Sequence, residues 1–265
     1  MHTNTIYTHP QWQDILAANN LATFEQLWNV QLQAVDEGNQ GRGHKGWSVV
    51  AIHRLTSPTG PSKRVIIKRQ SNYRSRTLSH PLRGIATFEK EYNFIRRYAQ
   101  LGVPSTQAIY CATRMHNGDL QAILVTEYLE DYRSLEDILD TLPHQDGDEA
   151  CKQQRRAIIA NVAQLVAKLH NSGLEHRCLF PKHIFVPNDL HQQACLIDLE
   201  KTREKPWSRW RRIRDLTALR RRTTQLTTRD NILFLRTYLG INHLNSEAKK
   251  LWQQVETRRT KHKSG

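Results

Sequence analysis

The sequence predicts an α+β fold in which strands dominate the first half of the chain and helices the second. Four runs are rich in β-branched and aromatic residues and have the length of strands: 47–54, 64–69, 106–113 and 121–127. The last two runs are joined at Asn117-Gly118, a dipeptide that favours a tight hairpin turn. Apolar residues at helical spacing then predict a core helix over 155–170. These patterns indicate hairpin-connected strands followed by helices.

Length and composition limit the class of protein. The 265 residues are enough for one large domain or for two lobes that share a cleft. No run of eighteen apolar residues occurs, so no membrane span is predicted, and the N-terminus lacks the charged-then-apolar order of a signal peptide. The cysteines form no short-spaced pairs that would indicate a disulfide framework or a zinc knuckle: 111, 151, 178 and 195. We therefore expect a cytoplasmic protein.

The formal net charge of +14 predicts an anionic partner. Nucleic acid, acidic lipid headgroups and a phosphorylated substrate would each serve, and part of the charge is expected on any solvated face. The densest basic block is 203–222, where Trp207 and Trp210 lie among arginines. Such a mixture of cations and indole rings suits a membrane interface or a sugar-phosphate surface.

The N-terminal segment has a helical pattern over 10–29, in which Leu16, Leu21 and Leu27 contribute to one apolar face. It leads into a glycine-rich loop at 36–46, DEGNQGRGHKG. A glycine loop between strands can cover phosphates with its backbone N–H groups. This loop does not match G-x-G-x-x-G, and a plain hairpin connection explains it equally well.

Lys68 ends the apolar run Val65-Ile66-Ile67, where a buried charge needs a partner. The VIIK pattern is similar to the V-A-I-K strand of kinases, whose lysine holds nucleotide phosphates and pairs with a helix glutamate. The helix predicted over 87–101 supplies Glu91 as the better partner and Glu89 as the second. The simpler alternative is a lysine that reaches out from a strand edge and a glutamate on a helix surface.

The strand at 121–127 runs into Glu127-Tyr128-Leu129. A kinase chain crosses between its lobes at the equivalent place, and its backbone there holds adenine. We therefore expect Glu127 and Leu129 to lie at a hinge beside the nucleotide, although nothing in their side chains identifies one.

The segment 169–203 has the layout of a kinase catalytic loop followed by a metal-binding loop. A helix end leads to His176-Arg177, then to two short strand-like runs, and the second run ends on Asp198. One residue departs from that layout. Cys178 occupies the position at which the loop of a kinase carries its catalytic aspartate.

Together these motifs resemble the lipopolysaccharide kinase family, in particular its InaA-like branch, which is related to the Kdo and heptose kinases of the Gram-negative inner core. The matching stretches cover most of the chain: GWSVV (46–50), IKRQSNYRSRTLSHPLRGIATFEKEYNFI (67–95), LGVP (101–104), HRCLFPKHIFV (176–186), LIDLEKTR (196–203) and RDLTALRRR (214–222). The resemblance implies a two-lobed protein-kinase-like fold, with a small antiparallel-sheet N-lobe at 1–127 and a mainly helical C-lobe at 128–265. It also implies transfer of phosphate from ATP, with Mg²⁺, to a sugar hydroxyl of the lipopolysaccharide core.

Carried over residue by residue, the resemblance assigns Lys68 to the nucleotide phosphates and Glu91 to Lys68. Asp198, in Asp-Leu-Glu rather than Asp-Phe-Gly, would bind magnesium, and Glu200 would add a second acidic group nearby. His183 stands where kinases place a metal-binding asparagine, although magnesium prefers oxygen ligands.

Cys178 leaves the acceptor of the substrate proton unassigned, because a thiol with an ordinary pKa is mostly protonated at neutral pH. His176 and His183 are the candidates to replace it, since imidazole titrates near neutrality. His176 has an alternative role as a bridge within the loop backbone. Asp215 stands where related folds use an acidic residue to support that backbone. A zinc site of His176, Cys178 and His183 matches no known spacing.

Three functions follow. The first is a kinase that acts, at the inner face of the cytoplasmic membrane, on the lipopolysaccharide core or another phosphorylated glycolipid. The second is a kinase-fold pseudoenzyme that binds nucleotide or a partner and regulates envelope stress, for which Cys178 and His183 argue. The third, from charge alone, is a nucleic-acid-binding module, which ranks last because the basic residues form no recognisable motif.

Overall fold

The computed structural model describes the chain in six segments: 3–32, 34–36, 46–77, 80–141, 148–205 and 209–261. The glycine-rich loop predicted at 36–46 lies outside the described residues except at its two ends. Trp207 and the side chain of Trp210 also lie outside them.

The described elements divide into two compact units, Met1–Arg97 with Thr106–Glu130 and Tyr98–Ser105 with Asp131–Gly265. The strands are β1 (Thr3–Thr8), β2 (Ala34–Asp36), β3 (Trp47–Leu55), β4 (Lys63–Ser71), β5 (Arg74–Ser75), β6 (Ile85–Ala86), β7 (Ala108–His116), β8 (Asp119–Glu127), β9 (Tyr132–Ser134), β10 (Leu174–Glu175), β11 (Ile184–Pro187), β12 (Cys195–Leu196) and β13 (Arg203–Glu204). The α-helices are α1 (Gln13–Ala18), α2 (Phe24–Asn29), α3 (Thr87–Gln100), α4 (Leu135–Thr141), α5 (Glu149–Asn171), α6 (Arg209–Arg221), α7 (Thr228–Leu239) and α8 (Ser246–Lys261). Short 3-10 helices lie at Pro10–Trp12, Pro181–His183 and Leu199–Lys201.

The first unit is built on a six-stranded antiparallel sheet with the order β1-β7-β8-β4-β3-β2. Strand β4 pairs on one side with β3 and on the other with β8, so that Lys68 lies opposite Val50 and Leu124. The four strands predicted in this half are β3, β4, β7 and β8. Strand β1 was not predicted, because its pairing of Thr3 with Arg114 joins distant parts of the chain that no local pattern connects.

The helical pattern predicted over 10–29 is confirmed, but the structure divides it between the separate helices α1 and α2. The chain turns at Asn20, whose φ of 55° is left-handed, a conformation that no helix continues through. Thr23 then starts α2 with a capping box that Gln26 closes. The apolar face predicted for this segment does exist, since both helices pack on one face of the sheet. The buried residues of this core are Trp12, Ile15, Leu16, Leu21, Phe24, Leu27, Leu55, Val65, Ile67, Ile109, Tyr110, Ala112, Ile123 and Val125.

Alternation along β4 decides which side chains face that core. Val65 and Ile67 are fully buried in it. Arg69 lies on the same face and donates to the Trp28 carbonyl at 2.7 Å, where α2 leaves its last carbonyl groups unpaired. Burial lowers the pKa of Arg69 to about 10, so the guanidinium stays charged at neutral pH. Lys68 therefore points to the opposite face of the sheet.

The second unit is mainly helical, with α5 packed on α7 and α6 packed on α8. Helix α5 confirms the core helix predicted over 155–170 and begins earlier, at Glu149, where Asp148 caps it. Arg155 on α5 forms a buried ion pair with Asp230 on α7 at 2.7 Å. None of the described helices is both long enough and apolar enough to cross a membrane.

Candidate active site

Lys68 and Glu91 form a buried ion pair in the first unit. Lys68 Nζ lies 2.7 Å from Glu91 Oε1, and the two side chains are 14% and 1% exposed. Gln70 lies on the same face of β4 and accepts the Phe88 N–H at 3.1 Å, which fixes the start of α3. Glu89, the second predicted partner, is instead half-buried, and burial raises its pKa. The structure therefore brings the lysine to the first of its two predicted partners.

The segment predicted as a hinge follows β8 in the same unit. The Glu127 N–H donates to the Gln107 carbonyl at 2.9 Å, and the Glu127 carbonyl accepts the Thr106 hydroxyl at 3.1 Å. Within the described part of the chain, the Leu129 N–H forms no hydrogen bond. Leu129 thus offers a free backbone donor to a ligand, whereas the Glu127 amide is already used.

Asp215 on α6 supports the loop that contains Cys178. Its carboxylate accepts the backbone N–H groups of His176 at 2.7 Å and Arg177 at 2.8 Å. Arg177 has a φ of 70°, a left-handed conformation that is costly for a residue with a side chain and needs such support. Asp215 Oδ2 also lies 3.3 Å from His170 Nε2, and His170 Nδ1 lies 2.9 Å from the Tyr238 hydroxyl. No local pattern marked His170 or Tyr238, which meet through the packing of α5 on α7.

His176 is fully buried, and its ring has a structural partner. His176 Nε2 lies 3.1 Å from the Ile197 carbonyl, which can only accept, so Nε2 carries the proton. Burial lowers the pKa of His176, although Asp215 and Asp198 oppose that effect. The neutral ring ties the loop that contains Cys178 to the segment before Asp198. This geometry is the bridging role that the sequence offered as an alternative to catalysis.

His183 and Asp198 face each other in the second unit. His183 Nδ1 lies 2.8 Å from the Cys178 carbonyl and so carries a proton, while Nε2 lies 3.3 Å from Asp198 Oδ2. Burial lowers the pKa of His183, and Asp198 raises it by a smaller amount. The neutral ring therefore turns the lone pair of Nε2 toward a carboxylate oxygen. Asp198 itself has a left-handed φ of 58° and a side chain that is 35% exposed.

A divalent cation fits this pair of donors. Two lone pairs that face each other repel unless a positive charge lies between them, and the exposed part of Asp198 leaves room for further ligands. Magnesium commonly uses one or two protein groups and completes its shell with water and phosphate oxygens. The nitrogen of His183 is a softer ligand than an amide oxygen and suits manganese better. Across the described segments, no group of three or more His, Cys, Asp or Glu side chains is arranged to hold a metal, which gives the zinc alternative no support.

Cys178 contributes its backbone rather than its side chain. Its carbonyl accepts the Phe180 N–H at 2.8 Å in addition to holding the His183 ring. Burial raises the pKa of the Cys178 thiol, Asp198 raises it further, and Lys201 partly opposes both. The thiol is therefore neutral at neutral pH and does not act as an ionised base.

Glu200, the predicted second acidic group, lies in the 3-10 helix that follows Asp198. Its carboxylate is 2.7 Å from Lys201 Nζ. The pair brings one negative and one positive charge, so it adds no net negative charge for a metal.

The chain matches one protein family and is similar to several proteins of known name. The model of the lipopolysaccharide kinase (Kdo/WaaP) family matches residues 25–238. The chain is 25% identical to Protein InaA of Escherichia coli (strain K12) over 69% of its own length and 79% of that protein. It is 32% identical to the lipopolysaccharide core heptose(I) kinase WaaP of Pseudomonas aeruginosa over 56% of its length and 58% of the kinase. The WaaP of Escherichia coli is 31% identical over 58% and 60% of the two chains, so the match spans under two thirds of either heptose kinase.

A solved structure shares its fold with nearly all of the chain. It is WaaP in complex with acyl carrier protein, with a TM-score of 0.67 and 22% identity. The likeness covers 98% of this chain and 99% of that chain. The chain therefore shares its mixed α/β fold with antiparallel sheets with this WaaP structure.

Proposed function

The chain belongs to the lipopolysaccharide kinase (Kdo/WaaP) family, and on that premise we propose that it transfers the γ-phosphoryl group of ATP to a sugar hydroxyl of the lipopolysaccharide inner core. We propose for it a two-lobed protein-kinase-like arrangement, with an N-lobe at 1–127 and a C-lobe at 128–265. The acceptor is the core sugar or another phosphorylated glycolipid, met at the inner face of the cytoplasmic membrane. The net charge of +14 supports an anionic acceptor and an anionic membrane surface.

The observation that carries this proposal is the ion pair between Lys68 and Glu91 at 2.7 Å. In protein kinases, an ion pair between a strand lysine and a helix glutamate must be formed for activity, and the lysine holds the nucleotide phosphates. Here the lysine lies on β4 and the glutamate on α3. Lys68 keeps 14% of its side chain exposed, so a phosphate can reach the ammonium while Glu91 fixes its position. We assign the adenine contact to the free Leu129 N–H.

In the second unit, we assign the divalent metal to Asp198 and His183. These two residues would hold the metal, whose charge would offset that of the phosphate oxygens. The chain supplies the oxygen of Asp198 and the lone pair of His183 Nε2, which are 3.3 Å apart. We assign positioning roles to His176 and Asp215. His176 holds the carbonyl of Ile197, the residue before Asp198. Asp215 holds the backbone N–H groups of the proposed catalytic loop.

A cysteine at position 178, where kinases carry the catalytic aspartate, should make this chain a slow kinase rather than an inactive one. Phosphoryl transfer depends mainly on positioning and on the neutralisation of charge, whereas a general base contributes about 10²–10⁴-fold. Burial keeps the Cys178 thiol neutral. The contribution of a general base is therefore lost, while the contributions of positioning and charge neutralisation remain. The same observation favours the second candidate function, a kinase-fold pseudoenzyme that binds nucleotide and acts in envelope stress.

Acyl carrier protein is a candidate partner, because the solved WaaP structure contains one and shares its fold with 98% of this chain. Co-elution of the two purified proteins in size-exclusion chromatography tests this point. Separate elution at micromolar concentrations of both proteins would exclude acyl carrier protein as a partner.

The test of the proposed function is transfer of labelled γ-phosphate from Mg-ATP to a lipopolysaccharide core acceptor. We expect slow transfer by the wild-type chain and none by Asp198→Ala. Asp14→Ala is the matched control, because it removes an exposed aspartate from the first unit and should leave transfer unchanged. Nucleotide binding without transfer to any core acceptor would establish the pseudoenzyme instead.

A further inference from the structure

Several arginines of the basic block 203–222 already contact other residues of the protein. Arg212 donates to the Asn171 side chain at 3.2 Å, and Arg214 pairs with buried Glu175 at 3.0 Å. Arg220 pairs with Glu256, also at 3.0 Å. Among the described side chains of this block, Arg214 and Arg220 therefore have carboxylate partners within the protein, and Arg212 has a neutral hydrogen-bond partner.

Arg222 differs from these arginines. It is exposed and follows the last residue of α6. Its Cζ lies 4.4 Å from the centroid of the Phe180 ring. Within the described part of the chain, no carboxylate lies within ion-pair distance of its guanidinium. A guanidinium that contacts an aromatic face keeps its N–H donors at its edge, and they remain available for hydrogen bonds in a fixed orientation.

Phe180 connects Arg222 to the candidate active site. It lies in the catalytic loop, and its N–H donates to the Cys178 carbonyl at 2.8 Å. Its ring centroid lies 5.6 Å from that of His183, which in turn lies 3.3 Å from Asp198. Arg222 is thus linked to the proposed metal carboxylate through three successive side-chain contacts.

We infer that Arg222 is a specificity residue that binds an anionic substituent, carboxylate or phosphate, on the acceptor sugar. This inference rests on the proposed function and names the substrate class of the same site. An arginine binds either anion through two parallel N–H bonds, which fixes orientation as well as charge. Phe180 would set the position of the guanidinium, so the anion would hold the acceptor at a defined distance from Asp198.

The test is a calorimetric titration of the full chain with three probes. The first is a core oligosaccharide with free carboxylates, the second is its methyl ester, and the third is a sugar monophosphate without a carboxylate. If the substituent is a carboxylate, the wild-type chain should bind the free acid about tenfold or more tightly than the ester; if it is a phosphate, it should bind the sugar monophosphate and not distinguish the acid from the ester. Arg222→Gln should remove the preference in either case, and Arg222→Lys should retain part of it because it keeps the charge without the planar fork.

Arg221→Gln is the matched control, because it removes an exposed arginine from the adjacent position. It should bind all three probes as the wild-type chain does. A loss by Arg222→Gln confined to the carboxylate probe identifies a carboxylate, and a loss confined to the monophosphate identifies a phosphate. The inference is overturned if Arg222→Gln binds all probes as the wild-type chain does, or if Arg221→Gln loses as much affinity. Unfolding temperatures of the variants show that each one is folded.

Kinetics separate this inference from the proposed function. Arg222→Gln should raise the KM for a carboxylated or phosphorylated acceptor by about tenfold, with kcat and the KM for ATP unchanged. If no acceptor is phosphorylated by the wild-type chain but the binding difference persists, the kinase function fails and the anion site stands. If transfer is observed and Arg222→Gln is indistinguishable from Arg221→Gln, the kinase function stands and the anion site fails.

Discussion

His183 Nε2 lies 3.3 Å from Asp198 Oδ2, while the Cys178 carbonyl holds the proton on His183 Nδ1. The backbone of Cys178 thus orients the His183 ring toward Asp198, the carboxylate to which we assign the metal. We propose that this arrangement preserves a metal site in the loop without an ionised base at position 178. On that proposal, the choice of metal depends on an imidazole nitrogen.

The first prediction concerns the metal. His183→Asn replaces the nitrogen ligand with an amide oxygen, which magnesium prefers. We expect the variant to bind Mg²⁺ more tightly relative to Mn²⁺ than the wild-type chain does. His183→Ala should lose about 10–100-fold in affinity for both metals. Titration of each metal against a fixed ATP concentration, followed by nucleotide-dependent stabilisation, measures both effects. An unchanged Mn²⁺ to Mg²⁺ ratio in His183→Asn would show that the ring is not a ligand.

The second prediction concerns the buried ion pair of the first unit. Lys68→Met removes the ammonium, and Glu91→Gln removes the group that positions it at 2.7 Å. Either change should lower kcat/KM for ATP by about 10²–10³-fold, the range for loss of one preorganised electrostatic contact. Lys63→Met is the control, because Lys63 is an exposed lysine on the same strand. Equal losses in all three variants would place the effect in the strand rather than in the ion pair.

The third prediction concerns the missing base. Cys178→Asp supplies a carboxylate that can orient the acceptor hydroxyl, and it should raise kcat by about 10²-fold or more. Cys178→Ser should change kcat by less than about threefold, because burial already keeps the wild-type thiol un-ionised. Initial rates at saturating ATP compare the two. A serine variant that is inactive would show that the thiol takes part in the reaction.

The fourth prediction concerns stability in the helical unit. Arg155 and Asp230 are about 10% exposed and 2.7 Å apart. Removing one partner by Arg155→Met should lower the free energy of unfolding by about 3–5 kcal/mol, since it leaves a buried charge unpaired. Replacing both with apolar residues, Arg155→Met with Asp230→Leu, should recover most of that loss. Urea unfolding followed by circular dichroism measures the free energy of unfolding of each variant. A double variant that is no more stable than Arg155→Met would contradict this prediction.

The same pair gives a pH dependence with a defined sign. Burial alone would raise the pKa of Asp230, but the hydrogen bonds from Arg155 and Thr227 outweigh it and leave the pKa below its usual value. The contribution of Asp230 is therefore complete above its unfolded pKa of about 3.9 and is lost as the pH falls through the lower folded value. Asp230→Asn should flatten the fall in stability below pH 4.

Sequence patterns predicted the parts that depend on local periodicity. Helix α3 begins where the apolar spacing begins and ends just before Gly102, which has a positive φ of 65°. The same patterns placed Lys68 on a strand and Glu91 on a helix, and their pairing followed from a motif that spans both elements. Position within the motif also marked the candidate residues of one continuous segment, 176–198: His176, Cys178, His183 and Asp198.

Features that depend on tertiary packing could not be predicted from the sequence. The left-handed backbone of Arg177 has no signature in its residue type, and aspartate adopts that conformation only occasionally, so Asp198 could not be identified as left-handed either. The contact between Phe180 and Arg222 joins a loop to a helix end. Neither partner has a pattern that would indicate the other.

The most direct test of the central claim is a thermal-shift titration with Mg-ATP. At a hundredfold excess over Kd, bound nucleotide stabilises the native chain by about 2.7 kcal/mol, which raises Tm by roughly 5–10 °C for a chain of this size. We predict this shift for the wild-type chain in the presence of Mg²⁺, its retention in Asp14→Ala, and its absence in Asp198→Ala and in EDTA. An equal shift in Asp198→Ala, or no shift in the wild-type chain, would contradict the assignment of Asp198 as the metal ligand of a nucleotide site.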